Sequence, residues 1–197
     1  MGVHHAVSAR AVFLDRDGVI NAAVVRDGKP YPPARAEDVE ILPGVAGALA
    51  DLSRAGYVLV VVTNQPDVAR GTQTRAAVDA IHARLQAELP LDAIRACLHV
   101  DEDRCACRKP APGLLLDAAR ELDLDLGASV MVGDRWRDIE AGRAAGCRTV
   151  FLNYHYAERQ PTGFDVELSS LAEASAWILD STRSTRPAGP PTVKGTT

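Results

Sequence analysis

Short runs of apolar, often β-branched residues alternate along this chain with stretches whose apolar positions recur at helical spacing. AVFL, residues 11–14, is apolar throughout and is bounded by polar residues, which predicts a first strand. After LPG, Val45, Leu49 and Leu52 share one helical face, and Gly56 closes that helix. YVLVVVT (57–63) reads as a strand buried on both faces. Thr74 is placed to cap the next helix, on which Val78, Ile81, Leu85 and Leu89 form a stripe. IRACLHV (94–100) predicts a third strand, and Pro110 and Pro112 precede a helix marked by Leu115, Ala118, Ala119 and Leu122. SVMVGD (129–134) predicts a strand, 136–146 a helix and RTVFL (148–152) a strand, followed by a short strand near Val166 and a helix over 171–179. This alternation predicts an α/β fold, a Rossmann-like parallel sheet with helices on both faces.

Length and composition narrow that picture. With 197 residues, 47 % of them hydrophobic, one sizeable core is expected. The expected division is a flexible N-terminus over 1–10, one domain over 11–180, and a disordered tail over 181–197, where large apolar residues nearly vanish. No internal repeat is visible. A net charge of -4 argues against a general nucleic-acid binder. The chain has no apolar run of about 18 residues, so no membrane association is expected. Its opening MGVHHAVSAR lacks the regions of a signal peptide, and the expected location is the cytoplasm. Three of the four cysteines crowd between 97 and 107, a pattern that suits metal ligation in a reducing compartment.

Open α/β sheets bind ligands at the carboxyl ends of their strands. Asp15, Thr63, the cysteine cluster and Asp134 all fall at such ends and are expected to meet at one edge. In FLDRDGVIN, Asp15 and Asp17 are two residues apart, so in extended backbone both point to one pocket, and Gly18 lets the chain turn. A divalent ion would relieve their repulsion, and hard oxygen ligands select magnesium. One carboxylate could attack phosphorus while the other moves a proton to and from the leaving oxygen. The plain alternative is an acidic turn or helix cap. VVVTNQ adds a hydroxyl and backbone N–H groups at Thr63 and Asn64, CRKP adds the cations Arg108 and Lys109, and VGDRWRD adds Asp134 with Asp138 one turn later. Together, in this order, these motifs favour phosphoryl transfer over chance.

FLDRDGVIN, VVVTNQ, CRKP and VGDRWRD, spaced along a βα alternation, resemble the four signature motifs of the haloacid dehalogenase (HAD) superfamily of phosphatases over roughly residues 11 to 155. The resemblance implies Asp15 as nucleophile and Asp17 as general acid and base, with Thr63 and Lys109 stabilising the phosphoryl group. It makes Asp15, Asp134 and the Asp17 carbonyl the magnesium ligands, with Asp138 acting from behind them. Arg16, Asn64, Gln65, Arg70, Arg108 and Arg135 are the candidate substrate contacts, while Arg26 and Lys29 read as surface charge.

Cys97, His99, Cys105 and Cys107 have the form C-x-H-x5-C-x-C, four ligands of the types zinc takes in a closed structural site. A small zinc-bound loop leading into CRKP would place the phosphate-binding cations. Such a loop resembles two subgroups of the superfamily, the heptose bisphosphate phosphatases and the histidinol-phosphate phosphatases. TNQPDVARG is closer to the heptose group; the short zinc loop and the Asp134-Arg135 pair are closer to the other. Both subgroups lack a large cap domain, and the segment from Asp17 to the first helix leaves no room for one. The expected partner is a small phosphorylated metabolite, most of all a heptose bisphosphate, bound by a monomer. A 3′-phosphatase acting on nucleic-acid ends is disfavoured by the acidic charge and the zinc loop. A non-catalytic zinc-stabilised binding module remains the alternative of another class. His82 reads as the polar edge of a helix, Cys147 as a small core residue, and Trp136 as a wall of the pocket.

Overall fold

The computed structural model describes residues 8–184. Six parallel strands form one sheet in the order β5-β4-β1-β6-β7-β8. They are β1 (Ala11–Leu14), β4 (Val58–Asn64), β5 (Ala93–Cys97), β6 (Val130–Gly133), β7 (Arg148–Leu152) and β8 (Val166–Leu168). The two remaining strands, β2 (Val24–Arg26) and β3 (Lys29–Tyr31), pair antiparallel as a small separate hairpin. The helices are α1 (Val45–Arg54), α2 (Arg75–Glu88), α3 (Gly113–Leu122), α4 (Trp136–Ala145) and α5 (Leu171–Ser184).

Alternation along the strands divides the core in two. Val12 and Leu14 of β1, with Leu59 and Val61 of β4, pack against Leu49 and Leu52 of α1, Ile81 and Leu85 of α2, and Ala174 and Ile178 of α5. Ala11 and Phe13, with Val60, Val62 and Met131, face the other way onto Leu115 and Ala118 of α3 and Ala141 of α4. The central strands β1, β4 and β6 are thus apolar on both faces, which is why these runs show no polar alternation. Thr74 caps α2 by accepting a hydrogen bond from the Ala77 N–H at 3.1 Å.

The sheet grows outward from β1 in two directions, first to β4 and β5, then across to β6, β7 and β8. The order therefore reverses beside β1, the place where such sheets open a crevice at their carboxyl edge. Leu14 lies in register with Val61 on one side and Val132 on the other, so the residues following β1 emerge between two neighbours.

Several local expectations change. The strand expected over 94–100 stops at Cys97, because the chain leaves the sheet there to build the cysteine loop. The hairpin β2–β3 was not visible in the pattern: its strands have three residues each and stand largely exposed. Ala9 bridges Leu124, and α5 runs past position 180 to Ser184, so both expected domain boundaries fall inside ordered structure. Residues 1–7 and 185–197, and with them most of the expected flexible ends, lie outside the described residues. Between Gly18 and α1 the described residues hold only the hairpin and one short turn of helix at Ala36–Asp38, not a cap domain. Among the described residues, no helix is long and apolar enough to cross a membrane.

Candidate active site

Asp15 continues the line of β1, its N–H donating to the Val132 carbonyl at 3.0 Å, and this bond holds its side chain at the carboxyl edge between β4 and β6. The Lys109 ammonium reaches it from the cysteine loop. Lys109 Nζ donates to Asp15 Oδ1 at 2.8 Å and to the Val62 carbonyl at 2.7 Å, and lies 2.6 Å from Asp138 Oδ1. It is 2 % exposed. Burial opposes its charge, yet Asp138 and Asp15 outweigh burial and hold Lys109 above the ordinary lysine range. Burial pushes Asp15 up to about 6, against the pull of Lys109 and with the repulsion of Asp138 and Asp17. Asp134 is raised far above the ordinary carboxylate range by burial and then by Asp15 and Asp138.

One ligand oxygen from each of Asp15, Asp134 and Asp138 can lie within 4.8 Å of the others. Their satisfaction differs. Asp138 is already engaged: Oδ1 meets Lys109, and Oδ2 accepts the Arg135 N–H at 3.0 Å. Both oxygens of Asp134 are buried without a well-formed hydrogen bond, although the Tyr156 hydroxyl stands close. A buried carboxylate left so is costly unless a cation meets it. Asp15 and Asp134 therefore fit a hard divalent ion, with Asp138 holding Lys109 behind them. Gly18 is needed for this approach. Its φ is +90°, and a Cβ there would lie 1.9 Å from Asp134 Oδ2.

Asp17 faces the same cavity and is held from beneath. Arg16 Nε donates to its Oδ1 at 3.1 Å and Arg16 Nη2 to its Oδ2 at 2.9 Å. Asn21 Nδ2 adds a bond to Oδ1 at 3.0 Å, and Gln65 Nε2 one to Oδ2 at 2.9 Å. Gln65 also donates to Thr63 Oγ1 at 2.9 Å, which leaves the threonine's own proton free for an acceptor in the cavity.

A cavity of about 240 Å³ opens over these groups, lined by Asp15, Asp17, Thr63 and Lys109 at its floor. Arg70, Arg108 and Arg135 reach its walls. Arg135 is fastened to Glu158 by bonds of 2.8 and 2.5 Å, so its fork is occupied. Arg16 and Gln65 do not reach the cavity: both are fully buried, turned toward Asp17 as its supports. Asn64 touches the cavity, but its amide is used in a reciprocal pair with Lys109, donating to the Lys109 carbonyl at 3.0 Å and accepting its N–H at 3.1 Å. Trp136 lies outside the cavity, between the guanidinium groups of Arg137 and Arg159 at 4.7 and 4.5 Å. Arg137, Asp101 and Tyr31 line the cavity and were not anticipated; nothing in their spacing marks them. Lys29, read as surface charge, lines it as well.

The four candidate metal ligands of the cysteine loop converge. Cys107 Sγ lies 3.2 Å from Cys97 Sγ, 3.4 Å from Cys105 Sγ and 3.3 Å from His99 Nδ1. Cys97 Sγ lies 3.5 Å from His99 Nδ1 and 3.7 Å from Cys105 Sγ. Thiolates on one tetrahedral zinc sit about 3.8 Å apart, given Zn–S bonds of about 2.3 Å. The cluster thus has nearly the size such an ion imposes, and all four cysteines of the chain are free of disulfides. Burial pushes the Cys97 thiol up to about 12, so its thiolate requires a cation close by. The loop's end is seamed to α3: the Gly113 N–H donates to the Ala106 carbonyl at 2.9 Å, and a Cβ on Gly113 would meet that oxygen at 2.2 Å. Asp101 in this loop accepts Arg108 Nε at 2.8 Å and Arg137 Nη1 at 3.0 Å.

Comparison with known proteins matches residues 106–161 to the family described as HAD-hydrolase-like. A D-glycero-β-D-manno-heptose-1,7-bisphosphate 7-phosphatase of Bordetella bronchiseptica is 40 % identical over 143 residues, covering 70 % of this chain and 77 % of that protein. Its namesake from Salmonella typhi is 36 % identical over 188 residues, covering 89 % and 93 %. The crystal structure of D,D-heptose 1,7-bisphosphate phosphatase from B. bronchiseptica, complexed with magnesium and phosphate, superposes with a TM-score of 0.75 at 34 % identity, covering 87 % of this chain and 99 % of that one.

Proposed function

This chain belongs to the HAD-like phosphatases, and we propose that it hydrolyses D-glycero-β-D-manno-heptose 1,7-bisphosphate at the 7-phosphate through an aspartyl-phosphate on Asp15. The observation that carries the reading is the convergence of three buried carboxylates around one point, with the Lys109 ammonium set between two of them. An ammonium held there meets the negative charge of a transferring phosphoryl group without having to move.

An Asp15 oxygen forms a bond to phosphorus as the bond to the sugar oxygen breaks, and Asp17 gives its proton to that departing oxygen. Asp17 then takes a proton from the water that attacks phosphorus, and the bond to Asp15 breaks to release inorganic phosphate. Thr63 donates its free hydroxyl proton to a phosphoryl oxygen, and Lys109 offsets the charge of the others. Asp15, Asp134 and the Asp17 carbonyl would hold a magnesium ion, which would supply positive charge to offset that of the anionic nucleophile and the anionic ester. The second phosphate of the substrate falls to the cavity wall. Arg108 supports this assignment: its side chain is 9 % exposed, Nε is tied to Asp101, and Nη1 is buried without a partner. Arg70, on the wall between this cavity and a neighbouring groove, is the second candidate. Cys97, His99, Cys105 and Cys107 hold zinc in this reading, which fixes the loop that carries Arg108 and Lys109.

Phosphate release from the heptose bisphosphate and from histidinol phosphate, assayed side by side with magnesium, tests the assignment. Turnover of the heptose ester is expected to exceed that of histidinol phosphate; the reverse order would overturn the substrate.

A further inference from the structure

Behind Asp17 lies a residue that does not touch the cavity. Arg16 is fully enclosed, with no exposed surface. Two of its nitrogens are spent on the Asp17 carboxylate, and the third, Nη1, lies 3.1 Å from His82 Nε2. A guanidinium can only donate, so Nε2 must accept and the imidazole proton must sit on Nδ1. We propose that His82 is a positioning residue for the general acid: its neutral ring anchors the far end of the Arg16 fork and thereby fixes the plane of the Asp17 carboxylate.

A planar fork gripping a carboxylate at one end still turns about its stem unless the other end is held. The His82 acceptor holds it, while Asn21 and Gln65 brace the two carboxylate oxygens from the sides. Removing the acceptor leaves a buried N–H unsatisfied, and Arg16 is then driven to swing toward another partner and take Asp17 with it. Burial and the adjacent Arg16 charge also depress the His82 pKa to about 4, partly opposed by Asp17 and Asp79, consistent with a neutral ring. His82 stands on α2 beside a surface groove lined by Arg75, Asp79 and Gln86, not on the substrate cavity, so it acts only through Arg16.

The inference rests on Asp17 being the general acid of the reaction proposed above, and it makes a demand that a merely structural histidine does not. A sugar alkoxide needs a proton to leave, whereas p-nitrophenolate hardly does. The quantity to measure is kcat/KM, which covers only the steps up to departure of the alcohol. For His82→Leu it is expected to fall about 10- to 100-fold on the heptose bisphosphate and less than about 3-fold on p-nitrophenyl phosphate. His82→Gln, whose amide oxygen can accept from Nη1, is expected to recover most of the loss. If leucine prevents folding, His82→Asn, too short to reach Arg16, replaces it. Equal losses on both esters, no loss on either, or a glutamine variant no better than leucine would overturn the inference. A wild-type enzyme inactive on both esters would instead refute the phosphatase reading itself.

Discussion

The carboxylate cluster and the thiol–imidazole cluster are linked through Lys109, which follows Cys107 by two positions and bonds to Asp15 and Asp138, yet they are held in opposite ways. Asp15, Asp134 and Asp138 are all buried at the ends of central strands or on the first turn of α4, with apolar residues of the sheet beneath them. Of the four sulfur and nitrogen ligands only Cys97 is buried; His99 is exposed, and Cys105 and Cys107 are half-buried on a loop beyond the edge strand β5. In the first region the protein shapes the place for an ion. In the second an ion would shape the protein, since the loop has little core of its own and structural zinc contributes roughly 10 kcal/mol or more in small systems.

Asp15→Asn sharpens this contrast most: turnover should fall by about a thousandfold or more, as for loss of a nucleophile in other enzymes, with the near-ultraviolet circular dichroism unchanged. Retained turnover would remove Asp15 from the mechanism. Next comes Cys105→Ser, which should lose bound zinc, measured by elemental analysis, and lower kcat/KM about 10- to 100-fold by loosening the segment that aims Arg108 and Lys109. An unchanged zinc content or an unchanged rate would break the comparison, since the loop would then be standing by itself. Arg108→Ala should raise KM for the heptose bisphosphate about 10-fold while leaving p-nitrophenyl phosphate, which has no second phosphate, nearly untouched.

The smallest effect is on stability. His82 has a folded pKa of about 4, below its ordinary 6.5, so between these values the unfolded chain binds more protons. Its contribution is fully present above about pH 6.5 and drains away as the pH falls toward 4. The wild-type unfolding midpoint should therefore decline relative to that of His82→Gln over this interval; parallel curves would show the ring to be ordinary.

Much of this was legible in the chain because it is written in short-range spacing. Strands buried on both faces announce themselves as apolar runs, and the groups at their ends, Asp15, Thr63 and Asp134, follow from where the runs stop. The convergence of Cys97, His99, Cys105 and Cys107 was legible because four donor side chains within eleven positions have few other uses. Arg16 and Gln65 were misread because the direction of a long side chain is decided by what lies behind it. Asn64 lines the cavity, but that its amide pairs with Lys109, forty-five residues away, was hidden for a related reason. His82 carried no pattern beyond its place next to the buried Ile81; only the approach of α2 to the first strand end shows what it meets.

The open mouth of the cavity has a price elsewhere in the architecture. A reacting carboxylate can be screened from solvent by a domain that folds over it, but here, among the described residues, it is β3 of the short β2–β3 ribbon that lines the opening, through Lys29, Pro30 and Tyr31, beside loop residues such as Arg70 and Asp101. In the proposed reaction, control over proton transfer would then come from the rear, through the arginine, amide and imidazole groups under Asp17. Substrate and phosphate can exchange without a domain having to swing aside, so a turnover rate insensitive to solvent viscosity is the natural signature of this design.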